Sequence, residues 1–577
     1  MAIIGIDLGT TNSLVCVFRS GKAELIPNAA GEYLTPSCVG LDDDGETLLI
    51  GRTARDRLIS HPALTVGGFK RLMGKPDRLS LGRHSYSAAE LSSLVIRQLR
   101  DDAEAYLGES VQEAVVSVPA YFDDNGRSAV KEAGELAGLR VERIINEPSA
   151  AALAYRENDT EDTTFLVFDL GGGTLDVTVV EAFENIIEVV SAAGNNQLGG
   201  GDFDRAIAGW FCRESGLSFD ALPAEEKAVL LRQAELGKVA LNGAETVILS
   251  CRLGGQERAL PLDNRKLVEI SAALFRKMET VVRRALQDAD KTVSDIDRVV
   301  MVGGSSKMLS VRRYIAELTG AELCSGIDPE QVVGIGAGLS AGIKMRVPEL
   351  RDMILTDVCP FSLGVNIINR SNNDDPLFSP IIPRNSALPA SRMGTYWTAV
   401  DWQKAMTFNI YQGDALYCRD NLLLGTLEIP VPVGMAGEQS CEARFSYDIN
   451  GILEVDIRCV STGLTISKVI LSKQLRLSEK ELAEKRAALQ KLKILPRDEE
   501  ANKALIARAE QLYIRCSEPL RGALAFETSQ FTAALGTQDE KRIRPARQRF
   551  SDVLDQIGRK TDSFDVFRRD EPEDEDD

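Results

Sequence analysis

Apolar and polar positions divide the 577-residue chain into stretches of different texture. Up to about residue 350, short apolar runs with β preference alternate with segments of helical periodicity, the rhythm of an α/β domain. Ile3–Ile6, Val115–Val118, Arg143–Ile145, Phe165–Phe168 and Arg298–Val302 read as strands. Ala88–Leu107, Leu230–Leu241 and Val332–Ile343 read as helices, the last with Gly334, Gly336, Ala337 and Gly338 for close packing. Asp123 or Asp124 is placed to cap a helix running past Arg127 and Lys131 to Ala137, and Pro148 suits a first helical turn. Residues 351–358, around the apolar Met353–Val358, read as a linker.

From 359 to 475 the period becomes two. Met406, Phe408 and Ile410 alternate with Thr407, Asn409 and Tyr411; Leu453, Val455, Ile457 and Cys459 alternate with Glu454, Asp456 and Arg458, after an Asn450-Gly451 turn. That pattern predicts an antiparallel β-domain. Ser478 and Glu481 then form a capping box. Helical pattern rich in Ala, Lys and Glu fills 476–562, broken at Pro496, Pro519 and Gly536, and predicts a small helical bundle. The segment 563–577, with its last eight residues seven acids and one proline, reads as a disordered acidic tail.

Two stretches in the first domain carry the chemistry. In Phe165–Val180 an apolar strand ends on Asp169, followed by Gly171, Gly172, Gly173 and Thr174, then Asp176 inside a second strand. A charge closing a buried strand is costly unless something pairs with it, so Asp169 is expected to face a cleft at the strand's carboxyl end. Bare glycines let backbone N–H groups approach an anion. The same device occurs at the start: Ile3–Ile6, Asp7, then Gly9, Thr10, Thr11 and Asn12, then Leu14–Phe18. Two copies predict a duplicated domain with two phosphate loops facing one cleft. Two close carboxylates call for a cation, and Mg²⁺ suits carboxylates plus phosphate oxygens. A third Gly-rich loop, Leu198-Gly199-Gly200-Gly201-Asp202, leads into a helix.

Composition narrows the functions. A net charge of −19 argues against a nucleic-acid or anionic-membrane surface. No apolar run approaches the ~20 residues of a membrane span, and Met-Ala followed at once by a core strand is no secretory signal, which predicts a cytoplasmic protein. Ten scattered cysteines without a Cys-x-x-Cys pair argue against a disulfide framework or a zinc site. Only His61 and His84 are present, both in polar, loop-like sequence, so His-based catalysis is a poor fit.

Together these motifs resemble the 70-kilodalton heat-shock chaperones of the DnaK type. The resemblance rests on Ile4–Ser13, Phe168–Thr174, Val118–Phe122, Asn146-Glu147-Pro148, Lys70-Arg71-Leu72, Gly303-Gly304-Ser305 and Asp357–Gly364. It implies an actin-like, duplicated ribonuclease H-like ATPase domain over 1–350, an interdomain linker, a peptide-binding β-sandwich and a helical lid. It implies that Asp7, Asp169 and Asp176 arrange Mg²⁺, largely through waters, and K⁺. Thr10, Thr11, Asn12, Gly9, Gly171–Thr174, Gly199 and Gly200 would hold the phosphates of ATP or ADP. Lys70 and Glu147 match the catalytic pair, with Asp7, Asp169 and Thr174 beside them; positioning and charge suffice for such hydrolysis. Glu235, Lys238 and Asn242 on one side, and Gly303, Gly304, Ser305 and Lys307 on the other, would contact adenosine. Pro119, Arg127, Arg143, Leu355 and Asp357 would couple the domains, with Arg143 and the linker facing a J-domain cochaperone. Phe378, Tyr396, Ala399, Met406 and Phe408 fall at the peptide cleft, where the clients are unfolded polypeptides.

The chain also departs from the family's pattern. Lys307 stands where arginine is usual, and Val239 where some members carry a second arginine; an ammonium stacks on a purine less well than a guanidinium, which predicts a looser adenosine grip. Residues 74–88 and the hairpin Thr246–Asn264 are short, so dependence on an exchange factor is open. The lid is short too, and these features resemble the specialised bacterial HscC type. A small-molecule kinase would share both phosphate loops but has no use for the β-domain and lid; a non-hydrolysing scaffold has no use for Lys70 and Glu147.

Overall fold

A computed structural model describes the chain apart from residues 1, 59, 157–161, 184–185, 196, 352, 369–374, 449–450, 471–499, 517–519 and 567–577. The first 350 residues hold two large sheets of one topology. From edge to edge the first runs Arg140–Asn146, Glu113–Val118, Ile3–Asp7, Asn12–Arg19, Lys22–Ile26. The second runs Glu322–Leu323, Arg298–Val302, Thr163–Leu170, Leu175–Phe183, Ile186–Asn195. In each, the hairpin strands are antiparallel and the two crossover strands parallel. The internal duplication expected from the two Asp-Leu-Gly copies is therefore a repeat of strand order and direction.

Helices Glu147–Arg156 and Val332–Lys344 pack against each other between the two sheets. The small residues of the second helix make this possible: a Cβ at Gly336 would lie 1.9 Å from the Ala150 carbonyl oxygen, and one at Gly334 1.8 Å from Leu14 Cδ1. Helix Ala88–Leu107 has the predicted bounds and a Ser87–Glu90 capping box, and Asp123 caps Asp124–Leu136 by accepting from the Gly126 N–H. His61 is half-exposed and His84 exposed.

Beyond the linker, two four-stranded antiparallel sheets stack as a sandwich. The period-two residues Met406, Phe408, Ile410, Leu453, Val455, Ile457 and Cys459 all face its core, as strand pleating requires. Helices Glu500–Arg515, Leu520–Gly536 and Glu540–Val566 follow, packed around Leu524, Phe531, Phe550 and Leu554. The Ser478–Glu481 capping box, Pro496, Pro519 and Asn450 lie outside the described residues. One boundary differs: the last helix continues to Val566, past the expected end of the bundle at 562. Among the described residues no helix is long and apolar enough to cross a membrane.

The linker is a strand. Ile354–Thr356 pairs in parallel with Ile186–Asn195, Leu355 opposite Ile187, and extends the second sheet by one strand. This brings the β-sandwich against the first domain.

Candidate functional site

Asp7 ends the first strand of one sheet, and Asp169 lies at the equivalent place in the other. Both are buried or nearly so and share one cleft with Asp176, Glu147 and Lys70. Lys70 comes from a short 3₁₀ turn, Phe69–Leu72. Its Nζ donates to Glu147 Oε1 at 2.6 Å, with side chains 5% and 11% exposed. Burial alone would lower the Lys70 pKa, but the charges of Glu147 and Asp7 outweigh it and hold the ammonium above its ordinary value. The carboxylates move the other way. Burial, then the Glu147 charge, pushes Asp7 up to about 6, against Lys70 and a 2.8 Å hydrogen bond from Ser117 Oγ. Burial and Glu147 push Asp176 up to about 7. Asp169 is raised well above its ordinary value, by burial and by Glu147, Asp176 and Asp7 together.

This is a site with an excess of buried negative charge. Asp169 and Asp176 are directly opposed across their hairpin, where cross-strand Cβ atoms lie about 5 Å apart. Asp176 Oδ1 has no hydrogen-bond partner among the described residues and rests over Gly194, where a Cβ would lie 2.4 Å away. Such a set fits a divalent cation. Among the described residues no three His, Cys, Asp or Glu side chains close on one point to hold a bare ion; a hydrated Mg²⁺ that keeps several waters matches the arrangement.

The glycine loops approach each other as the two-loop reading requires. A Cβ at Gly172 would lie 2.5 Å from Thr11 Oγ1, so the second loop passes directly over the first. Gly200 N–H donates to Gly171 O and Gly201 N–H to Gly172 O, both at 2.9 Å, which locks the third Gly-rich loop to the second. Gly199 sits so close that a Cβ would meet Gly173 Cα at 2.3 Å. Gly303, at φ +82°, lies against the Leu170 carbonyl and Asp169. Gly9, Thr10, Thr11, Asn12, Gly171–Gly173 and Thr174 thus surround the carboxylate cluster, and helix Gly200–Glu214 starts beside it.

The residues assigned to adenosine form the next ring outward, and several are already engaged. Lys238 is buried, pairs with Asp204 at 2.7 Å and donates to Gly200 O at 3.0 Å. Lys307 holds Asp328 and Glu330, each at 2.7 Å, and Asn12 Nδ2 donates to Glu330 Oε1 at 3.1 Å. Glu235 accepts from Arg232 and from Arg55, which reaches across from the other lobe at 3.5 Å. Asn242 Oδ1 accepts from the Leu309 N–H at the start of a helix. Ser305 faces Gly200, 2.2 Å from a Cβ built there. Val239 is exposed.

A polar chain joins this cleft to the linker. Asn146 precedes Glu147; its Nδ2 donates to Asp357 Oδ2 at 2.6 Å, and its Oδ1 accepts from Arg127 Nη2 at 2.6 Å. Arg127 also donates to the Ala120 and Phe122 carbonyls, fixing the turn after Pro119. Ser149 Oγ donates to Asp357 at 3.0 Å. Burial holds Asp357 above the usual carboxylate range, and lowers Arg143, on which the Asp357 charge acts in the opposite sense. Five further contacts seat the β-sandwich. Gln412 and Tyr447 hydrogen-bond Asp124, whose carboxyl burial raises. Arg384 pairs with Asp288 at 2.6 Å. Asn385 Oδ1 accepts from Ala192 N–H, and Tyr121 meets Phe361 edge to face at 4.8 Å.

The five peptide-cleft residues are not alike. Met406 and Phe408 belong to the sandwich core. Tyr396 lies against Phe408 at 5.8 Å, with its hydroxyl 3.2 Å from Ser379 Oγ. Phe378 is half-buried and Ala399 exposed. Beside Ala399 lies an apolar rim that the period-two pattern gave no reason to single out: Trp397, Val400, Trp402, Val433 and Met435, each more than half exposed. Trp402 N–H donates to Gly434 O, joining the two loops that carry it.

Sequence reasoning also passed over Arg71, whose guanidinium donates to Gly172 O at 2.7 Å, and Ser117, Asn146, Arg55 and Glu330. Ser117 had a signal, a polar residue in an otherwise apolar strand. Arg71 and Asn146 stood inside quoted motifs next to Lys70 and Glu147. Arg55 and Glu330 carry no local mark, because their partners lie far off in the chain. A comparison with protein families gives one match for the chain: the model described as Hsp70 protein covers residues 3–81 and 77–547.

Proposed function

The chain belongs to the Hsp70 family, whose members are ATP-dependent chaperones, and on that premise we propose that it hydrolyses ATP in the cleft between its duplicated lobes to drive capture and release of extended apolar peptides by the β-sandwich. The observation that carries this reading is the convergence of Lys70, Glu147, Asp7, Asp169 and Asp176 on one cleft walled by three glycine loops.

Asp7, Asp169 and Asp176 would hold Mg²⁺ through its waters, and when bound it would supply positive charge against the triphosphate. Lys70, fixed by Glu147, orients the attacking water, and its charge stabilises the transition state. Thr174 and the N–H groups of Gly171–Gly173 and Thr10–Asn12 fix the phosphates, with Arg71 holding the second loop in place. A K⁺ ion would offset the remaining carboxylate charge. Glu235, Lys238, Asn242, Gly303–Ser305 and Lys307 enclose adenosine, and the Lys307 ammonium releases it faster than an arginine would.

The step from hydrolysis to peptide release runs through Glu147, Asn146, Asp357 and the linker strand around Leu355, with Pro119 and Arg127 as the pivot. ATP shifts the population toward the docked linker. A J-domain cochaperone engages Arg143 and the linker. Peptide lies over Phe378, Tyr396 and Ala399, above the Met406–Phe408 core, and the Trp397–Trp402 rim widens that surface for aromatic and apolar segments. The protein is cytoplasmic in this reading, and its short Thr246–Asn264 hairpin favours the HscC type within the family.

The test is steady-state ATP turnover with and without an unfolded peptide and a J-domain. Turnover that depends on Mg²⁺ and rises with both additions is the expected result; absence of hydrolysis under all conditions overturns the reading.

A further inference from the structure

Ten cysteines are present, and among the described contacts one pair stands apart. Cys441 and Cys459 are cross-strand neighbours on the two central strands of one sandwich sheet, Ser440–Tyr447 and Leu453–Cys459. Both point into the core and both are fully buried. Their register position is a non-hydrogen-bonded one. Cys459 N–H donates away from Cys441, to Leu464 O, while the ladder bond between these strands is made one residue on, from Val460 N–H to Ser440 O. Residues opposed at such positions have Cα atoms about 4.5 Å apart, inside the span of about 4.4–6.8 Å that a disulfide bridges without moving backbone.

The surroundings of the two sulfurs differ. Cys459 ends its strand, and the exposed residues 460–464 turn the chain into the next strand, Thr465–Ile470. Ser461 Oγ lies 3.4 Å from Cys459 Sγ and also contacts Gln439 Oε1 at 2.7 Å, so one exposed hydroxyl separates that sulfur from water. Cys441 faces Tyr396 on the neighbouring strand and has no such access.

We propose that Cys441 and Cys459 are an oxidative modification site of the β-domain, Cys459 reacting with a hydroperoxide and Cys441 resolving the product to an intramolecular disulfide. The Cys459 thiolate attacks one peroxide oxygen; the S–O bond forms, the O–O bond breaks, and the leaving hydroxide takes a proton to become water. The Cys441 sulfur then attacks the sulfenic sulfur; the S–S bond forms, the S–O bond breaks, and a second water leaves with the Cys441 proton. The two thiols lose two electrons and the peroxide gains them. The donors around Cys459 favour its thiolate: burial opposes ionisation, but the hydroxyls and N–H groups of Ser461 and Thr462 outweigh it and bring the thiol down to about 7. Burial and the Cys459 neighbour hold Cys441 up at about 12, so it stays protonated as the proton source for the second step. The cross-link closes a loop between two adjacent central strands of the sheet, one of which pairs with the strand of Tyr396, and restricts the unfolded chain. It leaves the ATPase cleft chemically untouched.

The test uses the full-length chain, reduced and then exposed to hydrogen peroxide, quenched with an alkylating agent and digested without reductant. The expected product is one peptide pair joined through Cys441 and Cys459, with a rise in the urea midpoint of the β-domain that dithiothreitol reverses. In Cys441→Ala the expected product is a dimedone-trapped sulfenic acid at Cys459. In Cys459→Ala, Cys441 stays a free thiol and the midpoint does not move. If Cys441 and Cys459 of the wild-type chain remain alkylatable after unfolding, at a peroxide dose that oxidises other cysteines, the proposal is wrong. The wild-type map decides this even if either variant fails to fold.

Discussion

The two hairpins that face each other across the cleft share a topology and differ in equipment. Asp7 is opposed by Leu14, and Asp169 by Asp176. One copy carries a single carboxylate backed by a leucine that packs on Gly334 of the helix between the lobes; the other carries two carboxylates, one of them with an oxygen that has no hydrogen-bond partner among the described residues. The first loop, Gly9-Thr10-Thr11-Asn12, presents hydroxyls and an amide, and the second, Gly171-Gly172-Gly173-Thr174, presents mostly backbone. The first lobe also supplies Lys70 and Glu147. A duplicated frame thus sets two strand ends against each other, and side chains that differ between the copies decide which end carries metal charge and which carries the lysine. The symmetry lies in the backbone, and the asymmetry does the chemistry.

Exchanging the equipment tests that division. Leu14→Asp gives the first hairpin the second's carboxylate, but at a site 1% exposed with no partner and a helix pressed against it. An uncompensated buried charge costs roughly 3–5 kcal/mol, so the urea midpoint of the ATPase domain is expected to fall by a corresponding amount, whether or not Mg²⁺ is present. Lys70→Ala removes a single preorganised charge from the cleft; single-turnover hydrolysis is expected to slow about 10²–10³-fold while ATP affinity by fluorescence stays within a few-fold. Asp176→Leu copies the first hairpin's residue into the second. It deletes a metal-orienting group rather than the whole site, and the Mg²⁺ concentration for half-maximal turnover is expected to rise about 10–100-fold.

A smaller effect is expected from pH on linker docking. Burial raises Asp357, against the Val358 N–H, Arg127, Ser149 and Asn146. Burial also raises Asp124, against Arg127, Tyr447 and Gln412 and with Asp123 adding to it. In the undocked chain both return to ordinary values near 4. A group raised in the docked form contributes its full stabilisation below the ordinary pKa and loses it as pH rises through the raised one. Hydrogen exchange of Ile354–Thr356 should therefore quicken from acid toward neutral pH beyond its intrinsic rise, and Asp357→Asn should flatten that dependence. The smallest effect belongs to Lys307→Arg, which restores planar stacking; ADP release by stopped flow is expected to slow by a few-fold.

What the sequence disclosed follows from what is local. Apolar strands ending on Asp7 and Asp169, bare glycines after them, and the alternation through Met406 and Leu453 are written within a dozen residues, and the fold places them as their periodicity predicts. Lys70 is different. On spacing it is a lysine between two glycines, and only resemblance to a family gave it a role. Asp124 with Gln412 and Tyr447, and Asp288 with Arg384, join residues roughly 100 to 300 positions apart, and no local pattern marks either partner. The Leu14–Asp176 difference is local too, since each residue lies seven positions after its strand-ending aspartate. Cys441 and Cys459 read as scattered until strand register set them side by side.

The central claim is that buried carboxylates from both lobes bind a metal-complexed triphosphate between them. Titration calorimetry of ATP into the wild-type chain and Asp169→Asn, each with Mg²⁺ and with a chelator, addresses it most directly. The account predicts that chelation weakens wild-type binding at least tenfold and that Asp169→Asn loses most of that metal dependence. Equal ATP affinity in all four titrations, or none in any, would contradict it.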